Sequence, residues 1–326
     1  MLMTRRSSLK ALGLAGAALA APAVLRAQTP VAVKCATATP GFTVVFYDLI
    51  RELKLDEKHG FKFSEPVLNA SIASLFNDFV AGPYDLIIAS WDPILTRYQS
   101  GVPCQLLCTL TTADMIGVVA TKSGPRTIAD LKGKIIAAPQ QSGVYRVTRA
   151  LIKELLGDDI ESVSLVQNAD NPAQGVTLVI ADRADAAVAW EPMISSGMRR
   201  RPDLDVIFSV GGAFRDKTGF DLPYFCVNVR KELVGTSADS ARRLNAAFAE
   251  CVSLIESDFD AIASKYAERT KIEADVLRAA KAAGRLKFKH AGASDAATQK
   301  TITVASEILT RQGVLSRPVD AGFFAI

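Results

Sequence analysis

The sequence has few of the residues that carry enzyme chemistry. Its 326 residues include two histidines, His59 and His290, and neither lies in a loop that joins a predicted strand to a helix. Histidine is the commonest general base, and two histidines supply a zinc site poorly. The sequence also has no glycine-rich phosphate loop and no Gly-x-Ser-x-Gly nucleophile elbow. We therefore expect no catalytic residue, no metal site and no cofactor.

Disulfide bonds are also poorly supported. The chain has five cysteines, an odd number, and no Cys-x-x-Cys motif. Cys104 and Cys108 lie in one predicted strand, where four residues span about 13 Å, which is too far for a disulfide bond. We predict buried, unpaired thiols at Cys35, Cys104, Cys108, Cys226 and Cys251.

The excess of positive charge is confined to the N-terminus. Four basic residues lie among the first 27 residues, which hold no acidic residue, and the rest of the chain has 34 basic and 34 acidic residues. A protein that binds nucleic acid normally presents a basic face. The neutral remainder therefore argues against a nucleic-acid partner.

The same N-terminus has the pattern of an export signal. Arg5 and Arg6 form a twin-arginine pattern, an apolar run occupies residues 11–25, and Ala27 ends a cleavage site of the small-residue type. Ser8 stands where twin-arginine signals more often have Phe, so the general secretory route stays open. The run is shorter than a membrane helix, which needs about 20 apolar residues, although an uncleaved anchor or a buried N-terminal helix is an alternative. We predict a signal peptide over residues 1–27, cleavage near Ala27, and a periplasmic protein.

Strand and helix patterns alternate through most of the remaining chain. Residues 31–36 read as one short strand, and residues 85–89 form a continuous apolar strand of the kind found in sheets covered on both faces. Between these strands, apolar residues at positions 42, 45, 46, 49, 50 and 53 have the spacing of a buried helix face. From about residue 239 onward the patterns are mostly helical. This alternation predicts an α/β fold with mainly parallel sheets.

Three segments, in this order, resemble one family of binding proteins. They are Gly-Pro-Tyr-Asp-Leu-Ile-Ile-Ala-Ser-Trp-Asp-Pro at 82–93, Ile-Ala-Asp-Leu-Lys-Gly-Lys at 128–134 with the helix start at 141–143, and Asp-Ala-Ala-Val-Ala-Trp-Glu-Pro at 185–192. The chain resembles, over about residues 31–315, the substrate-binding proteins of ABC importers that take nitrate, aliphatic sulfonates, taurine or pyrimidine precursors of thiamine. The resemblance implies a type II periplasmic binding protein with two mainly parallel-sheet lobes joined by a two-segment hinge.

The resemblance also implies a domain plan, a mechanism and partners. Residues 29–115 and 220–326 would form lobe 1, and residues 116–219 would form lobe 2 as an insertion. The apolar segments 115–121 and 223–229 would cross between the lobes. Contacts of a small ligand to both lobes would favour a closed state, which an ABC permease of the cytoplasmic membrane would then recognise. We expect a monomer with no chemistry of its own.

The candidate ligand site lies in the loops that follow the strands. In open α/β sheets, ligands bind beyond the carboxyl ends of the strands, where helix N-termini offer free N–H groups to an anion. The candidate ligand-binding residues are Thr39, Phe42, Asn69, Ser71, Ser90, Trp91, Asp92, Gln141, Ser142, Arg146, Trp190 and Glu191.

Several of these residues also have a structural interpretation. Ser71, Ser142 and Asp92 have the positions of helix N-caps. Arg146 lies one turn into its predicted helix, where a cation opposes the helix dipole, so a ligand anion, a neighbouring carboxylate or exposure to solvent must compensate. Trp91 and Trp190 either pack in the core or form aromatic walls around a planar ligand.

The ligand class follows from the charges of these residues. Helix N-termini and Arg146 favour a small organic anion with an apolar body, such as a sulfonate or a carboxylate. Asp92 and Glu191 would accept hydrogen bonds from ring nitrogens or repel a simple anion, so a pyrimidine or another aromatic ligand is the alternative. An enzyme related to the thiamine-pyrimidine synthases is a further alternative, although their cysteine-rich iron motif has no counterpart here.

Overall fold

The computed structural model describes residues 29–235 and 238–325. The predicted signal peptide over residues 1–27 lies outside the described residues. Within the described part of the chain, no helix is both long enough and apolar enough to cross a membrane.

The first stretch of chain alternates short strands and helices up to residue 111. Its elements are β1 (Val31–Val33), β2 (Cys35–Ala38), α1 (Val44–Glu52), α2 (Leu55–Lys58), β3 (Phe61–Phe63), β4 (Val67–Asn69), α3 (Ile72–Ala81), β5 (Leu86–Ser90), α4 (Trp91–Gln99) and β6 (Cys104–Thr111). The predicted helix over positions 42–53 is confirmed as α1.

The middle stretch repeats this alternation. Its elements are β7 (Ile116–Thr121), β8 (Ile135–Ala138), α5 (Gly143–Leu156), α6 (Ile160–Val163), β9 (Leu165–Asn168), α7 (Pro172–Ile180), β10 (Ala186–Trp190), α8 (Met193–Arg200), β11 (Leu204–Ser209) and α9 (Val210–Thr218).

The last stretch is mostly helical, as the sequence predicts. Its elements are β12 (Phe225–Arg230), α10 (Lys231–Val234), α11 (Ala238–Ser257), α12 (Phe259–Lys265), α13 (Ala267–Thr270), α14 (Ala274–Ala282), β13 (Phe288–Gly292) and α15 (Ala296–Arg311).

The strands form two large sheets and one small one. A six-stranded sheet has the order β13-β6-β12-β5-β2-β4, a five-stranded sheet has the order β11-β7-β10-β8-β9, and β1 pairs with β3. We call residues 31–111 with 225–325 the six-stranded half, and residues 116–218 the five-stranded half. Both large sheets are mixed, and this corrects the prediction of mainly parallel sheets. The parallel pairs are β2 with β4 and β5, and β8 with β9 and β10, whereas β6, β7, β11, β12 and β13 pair antiparallel.

The predicted strand over residues 31–36 is divided in the structure. The backbone N–H of Lys34 donates to the carboxylate of Asp85 at 2.8 Å, and the Lys34 carbonyl accepts from the backbone N–H of Asp85 at 2.9 Å. Because Lys34 is bonded to the start of β5, β1 on one side of it pairs with β3, while β2 on the other side joins the six-stranded sheet.

The chain crosses between the two large sheets twice, at residues 112–115 (the first crossing) and at residues 219–224 (the second crossing). The two crossings are bonded to each other, since Thr112 and Pro223 form an antiparallel bridge and the N–H of Ala113 donates to the Leu222 carbonyl at 2.7 Å. The crossings predicted at 115–121 and 223–229 were therefore placed too far along the chain. β7 lies wholly in the five-stranded sheet and β12 wholly in the six-stranded sheet.

Strands β5 and β10 position the residues of interest. Both strands are buried along their whole length, because each has a neighbour on either side and helices over its faces. Trp91 begins α4 directly after β5, and Trp190 ends β10 just before α8. All five cysteines are buried and free, as predicted from their number and spacing.

Candidate functional site

The two halves meet through an ion pair between Asp92 and Arg146. Asp92 lies in the first turn of α4 with no exposed surface, and Arg146 lies one turn into α5. Arg146 Nε is 3.2 Å from Asp92 Oδ2, and the Arg146 side chain is 20% exposed. The compensating group for this cation is thus a carboxylate of the opposite half, and the alternative of an arginine exposed to solvent is wrong.

Arg146 also holds two oxygen atoms of the six-stranded half. Its Nη2 donates to Thr96 Oγ1 at 2.8 Å and to the Val314 carbonyl at 3.0 Å. Neither carboxylate oxygen of Asp92 accepts a hydrogen bond from any residue that the structure describes. Burial raises the pKa of Asp92 to about 6, although the charge of Arg146 acts to lower it.

A glycine allows the two helix starts to approach each other. A Cβ atom added to Gly143 would lie 2.2 Å from Asp92 Oδ1 and 2.3 Å from Ser90 Oγ. Real Cβ atoms do not come this close to another heavy atom, so any larger residue at position 143 would have to displace the start of α4. Gly143 therefore matters for the contact of the two halves, a role that the sequence analysis did not assign to it.

Replacing Gly143 by alanine is expected to hold the halves apart. Overpacking of this kind costs about 1–3 kcal/mol, and the cost falls on the state in which the halves touch. We expect a larger radius of gyration in small-angle X-ray scattering. Gly175→Ala is the matched control, because the nearest atoms to its added Cβ would be 3.7 Å away. An unchanged radius in the Gly143 variant would show that this contact does not hold the halves together.

A second pair of charged groups joins the halves through Glu191 and Arg285. Glu191 is fully buried, and its Oε1 accepts from Arg285 Nε at 2.6 Å and from Ser195 Oγ at 2.9 Å. Its Oε2 accepts from the backbone N–H of Ser195 at 3.0 Å. Glu191 thus occupies one of the free N–H groups at the start of α8. Sequence reasoning missed Arg285 and Ser195, because no local pattern links Arg285 to a residue 94 positions earlier.

The serines at two other helix starts are N-caps. Ser71 Oγ accepts from the backbone N–H of Ser74 at 3.3 Å, and Ser142 Oγ accepts from that of Tyr145 at 3.4 Å. The capping interpretation is therefore confirmed for both serines. It is wrong for Asp92, because the N-cap of α4 is Ser90 and Asp92 lies inside the first turn.

A small cavity lies where the starts of α3 and α5 face each other. Its volume is about 40 Å³, and it is lined by Ser71, Ile72, Ala73, Pro139, Gln141, Ser142, Asn168, Ala169 and Asp170. Next to it, Asn171 Nδ2 donates to the Ala70 carbonyl at 3.5 Å across the two halves. A cavity of this size has room for about one water molecule. An organic ligand would fit here only if the halves moved apart.

Asn69 and Thr39 lie at the same edge of the six-stranded sheet. The N–H of Thr39 donates to the Asn69 carbonyl at 2.9 Å. The Asn69 Nδ2 atom is buried and has no hydrogen-bond partner among the described residues. A buried amide without a partner is uncommon, and it gives this edge a free donor.

The three aromatic candidates pack in the interior and do not line the 40 Å³ cavity. Trp91 is 1% exposed and donates from Nε1 to the Pro223 carbonyl at 3.1 Å. Trp190 is 5% exposed and packs against Tyr224 and Phe225, with ring centroids 6.2 and 6.3 Å away. Both tryptophans therefore contact the second crossing or the residue after it.

Phe42 belongs to an aromatic cluster within the six-stranded half. Its ring centroid is 5.0 Å from that of Phe288 and 6.0 Å from those of Phe46 and Phe259. The side chain is buried. Phe42 thus stabilises the packing of α1 and α12 against the edge strand β13.

A larger cavity lies beside the two crossings. Its volume is about 260 Å³. Threonines 109, 111 and 112 line it together with Phe220, and Lys289 Nζ lies 2.8 Å from Asp221 Oδ2 at its wall. None of the residues predicted from the sequence to bind a ligand lines this cavity.

Comparison with known proteins yields likenesses of structure only. No protein-family model matches the chain, and no curated protein matches its sequence. Among solved structures, the periplasmic aliphatic sulphonate binding protein SsuA from Escherichia coli is 16% identical, with a TM-score of 0.69 over 89% of this chain and 96% of that one.

Two further solved structures are similar. The alkanesulfonate-binding protein SsuA from Xanthomonas axonopodis pv. citri, bound to MOPS, is 16% identical, with a TM-score of 0.71 over 88% of this chain and 94% of that one. The periplasmic nitrate-binding protein NrtA from Synechocystis PCC 6803 is 15% identical, with a TM-score of 0.59 over 76% of this chain and 69% of that one.

These likenesses establish the fold. The chain has the α/β fold of the periplasmic binding proteins, which confirms the predicted fold class, with mixed sheets in place of mainly parallel ones. Its structural neighbours include sulfonate-binding and nitrate-binding proteins, the proteins that the three sequence segments resemble.

Proposed function

We propose that the chain is the substrate-binding component of an ABC importer and captures a small organic anion between its two halves. The observation that carries this proposal is the convergence of Arg146 with the starts of α3, α4 and α5 where the halves meet. In addition, the solved structures that share the fold include proteins that bind sulfonates and nitrate.

The chemistry of this contact suits an anion. The starts of α3 and α5 offer backbone N–H groups beyond those used by Ser71 and Ser142. Arg146 brings a cation that is mostly buried, and Asn69 brings an amide donor without a partner. Gln141 lies at the cavity wall with an exposed side chain. We assign these residues to the polar end of the ligand.

The mechanism that we propose is closure about the two crossings. In this proposal the two halves act as the predicted lobes, residues 29–115 with 220–326 and residues 116–219, and the bonded crossings act as the hinge. A ligand that contacts both halves stabilises the closed state relative to the open one. An ABC permease would then recognise the closed form. This proposal places the protein in the periplasm as a monomer, after removal of residues 1–27, and assigns it no reaction of its own.

A pyrimidine or a similar aromatic base is the second candidate ligand. The observation in its favour is the carboxylate of Asp92, whose two oxygens accept no hydrogen bond from the described residues. Ring N–H and amino groups would satisfy those oxygens. The packing of both tryptophans in the interior weakens this candidate, because neither forms a wall of the cavity.

A titration of tryptophan fluorescence tests the proposal. The purified protein would be unfolded and refolded once to release any carried ligand, then titrated with nitrate, taurine, alkyl sulfonates, aromatic carboxylates, pyrimidines and a polyamine. Trp91 and Trp190 are the only tryptophans of the sequence and contact residues 223–225, so they report movement at the crossing. We expect saturation at micromolar concentrations of an organic sulfonate or carboxylate. Saturation by pyrimidines alone would favour the second candidate, and a response to the polyamine alone would contradict both.

A further inference from the structure

Asp92 is a buried acid whose charge is poorly compensated. It has no exposed surface, and neither of its oxygens accepts a hydrogen bond from a described residue. The carboxylate of Glu191 is equally buried, but it accepts three hydrogen bonds from Arg285 and Ser195. Buried carboxylates without hydrogen bonds are costly in the ionised form. Asp92 is therefore the acid at this contact that gains most from taking up a proton.

The Asp92 carboxylate also lies where a ligand anion would bind. The added Cβ of Gly143 would be 2.2 Å from Oδ1, so this oxygen lies against the first residue of α5. Its other oxygen is 3.2 Å from Arg146 Nε. The start of α5 and Arg146 are the two features that the proposed function assigns to the ligand anion. Two negative charges at one position repel each other and raise the pKa of the acid.

The charged and titratable groups around Asp92 come from four segments of the chain. Arg146 faces it from α5, and Arg97 acts on it from its own helix, α4. Burial raises the pKa of Tyr224, in the second crossing, and of Cys226, in β12, and the nearby charge of Asp92 adds to the effect in each. Both of these groups are neutral when protonated. Burial has the larger effect on the pKa of Asp92 and raises it, whereas Arg146, the nearby backbone N–H of Asp92 itself, which does not reach hydrogen-bond geometry, and Arg97 lower it.

We propose, building on the proposed function, that Asp92 takes up a proton from solvent as the halves close around a ligand anion. The proton forms an O–H bond on the Asp92 carboxylate, and Arg146 then pairs with the anionic group of the ligand. Asp92 thereby determines the pH dependence of capture.

The sign of this dependence follows from linkage. When the halves part, Asp92 becomes hydrated and its pKa returns to the ordinary range of an aspartate carboxyl. In the closed state the pKa of Asp92 is raised to about 6. The closed state therefore binds the proton more tightly, and acid favours closure and capture. Between the two pKa values, affinity changes by up to about tenfold per pH unit. At a pH above the closed-state pKa, Asp92 is ionised in both the open and the closed state, and the affinity no longer changes with pH.

Calorimetric titration with hexanesulfonate tests the proposal. A sulfonate stays ionised throughout, so its own protonation does not affect the result, and amine buffers avoid competing anions. We expect wild-type affinity to be about tenfold higher near pH 5 than near pH 7.5. Near pH 5, two buffers of different ionisation enthalpy should reveal uptake of about one proton.

Two variants separate Asp92 from other acids. Asp92→Asn carries the uncharged form at every pH, so it should bind equally well at both pH values and take up no proton. Asp158→Asn removes the same charge from an exposed residue after α5, and it should keep the wild-type dependence. Equal wild-type affinities at the two pH values, or an unchanged dependence in Asp92→Asn, would overturn the proposal.

Small-angle X-ray scattering by the protein without ligand tests the protonation of Asp92 independently of the proposed capture of an organic anion. If hexanesulfonate does not bind at all, that part of the proposed function fails. Proton uptake by Asp92 on closure would still predict a smaller radius of gyration for the wild-type protein near pH 5 than near pH 7.5. It would also predict that Asp92→Asn has the small radius at both pH values. Equal radii would overturn it. If Asp92→Asn does not fold, carbon-13 NMR titration of Asp92 in the wild-type protein saturated with hexanesulfonate decides, since a pKa in the ordinary range for this liganded protein would contradict the proposal.

Discussion

Replacing Arg146 by glutamine is expected to abolish most of the affinity for an organic anion. The guanidinium is the charged donor at the contact of the halves that the proposal assigns to the ligand. Removal of one partner of a buried, hydrogen-bonded charge pair costs about 2–5 kcal/mol. The lower figure corresponds to a loss of roughly thirtyfold in affinity, measured by calorimetric titration with an alkyl sulfonate.

Arg149→Gln is the matched control for this substitution. Arg149 lies on the same helix, three residues further on, but its guanidinium pairs with Asp159 and Glu161 within the five-stranded half. Its loss should leave the affinity unchanged. If both variants kept the wild-type affinity while remaining folded, Arg146 would not contact the ligand and the proposed anion site would be wrong.

Replacing Trp190 by alanine is expected to destabilise the fold. The side chain is 5% exposed and fills the space beside Tyr224 and Phe225. Truncation of a buried tryptophan to alanine typically costs about 3–5 kcal/mol in the free energy of unfolding. Urea denaturation followed by circular dichroism measures this loss directly. If Trp190 formed an aromatic wall of the ligand site, the other interpretation that the sequence offers, the same substitution would weaken ligand binding and leave the fold intact.

Trp190→Phe and Leu156→Ala are the controls for the loss of stability in Trp190→Ala. Phenylalanine keeps an aromatic ring against Tyr224 and Phe225, so it should lose clearly less stability than alanine. Leu156 is 53% exposed, and its truncation should change the free energy of unfolding by less than about 0.5 kcal/mol. A Trp190→Ala variant with wild-type stability and reduced affinity would restore the interpretation of Trp190 as a wall of the ligand site.

Local patterns predicted the elements of this fold well. The spacing of apolar residues predicted α1, and the serines at 71 and 142 correctly marked the starts of α3 and α5. The continuous strand before Trp91 was also correct. Each of these signals depends on a few neighbouring residues, because helix capping and side-chain periodicity are local effects.

Contacts between distant segments could not be predicted in the same way. Arg285 reaches Glu191 across 94 positions, and the sequence contains no local sign of that pair. The antiparallel strands β7 and β12 read as apolar runs, just as parallel strands do, so the mixed character of the sheets was missed. The two tryptophans lie at strand–helix junctions, as predicted, but this position does not tell whether their side chains face a ligand or the second crossing.

A crystal structure with bound hexanesulfonate would show whether an anion binds between the halves at Arg146. We predict that the sulfonate group lies within hydrogen-bond distance of the Arg146 guanidinium and of backbone N–H groups at the start of α5, with the alkyl chain enclosed by both halves. A sulfonate group bound instead at Lys289, in the 260 Å³ cavity beside the crossings, with Arg146 still paired to Asp92, would contradict the account.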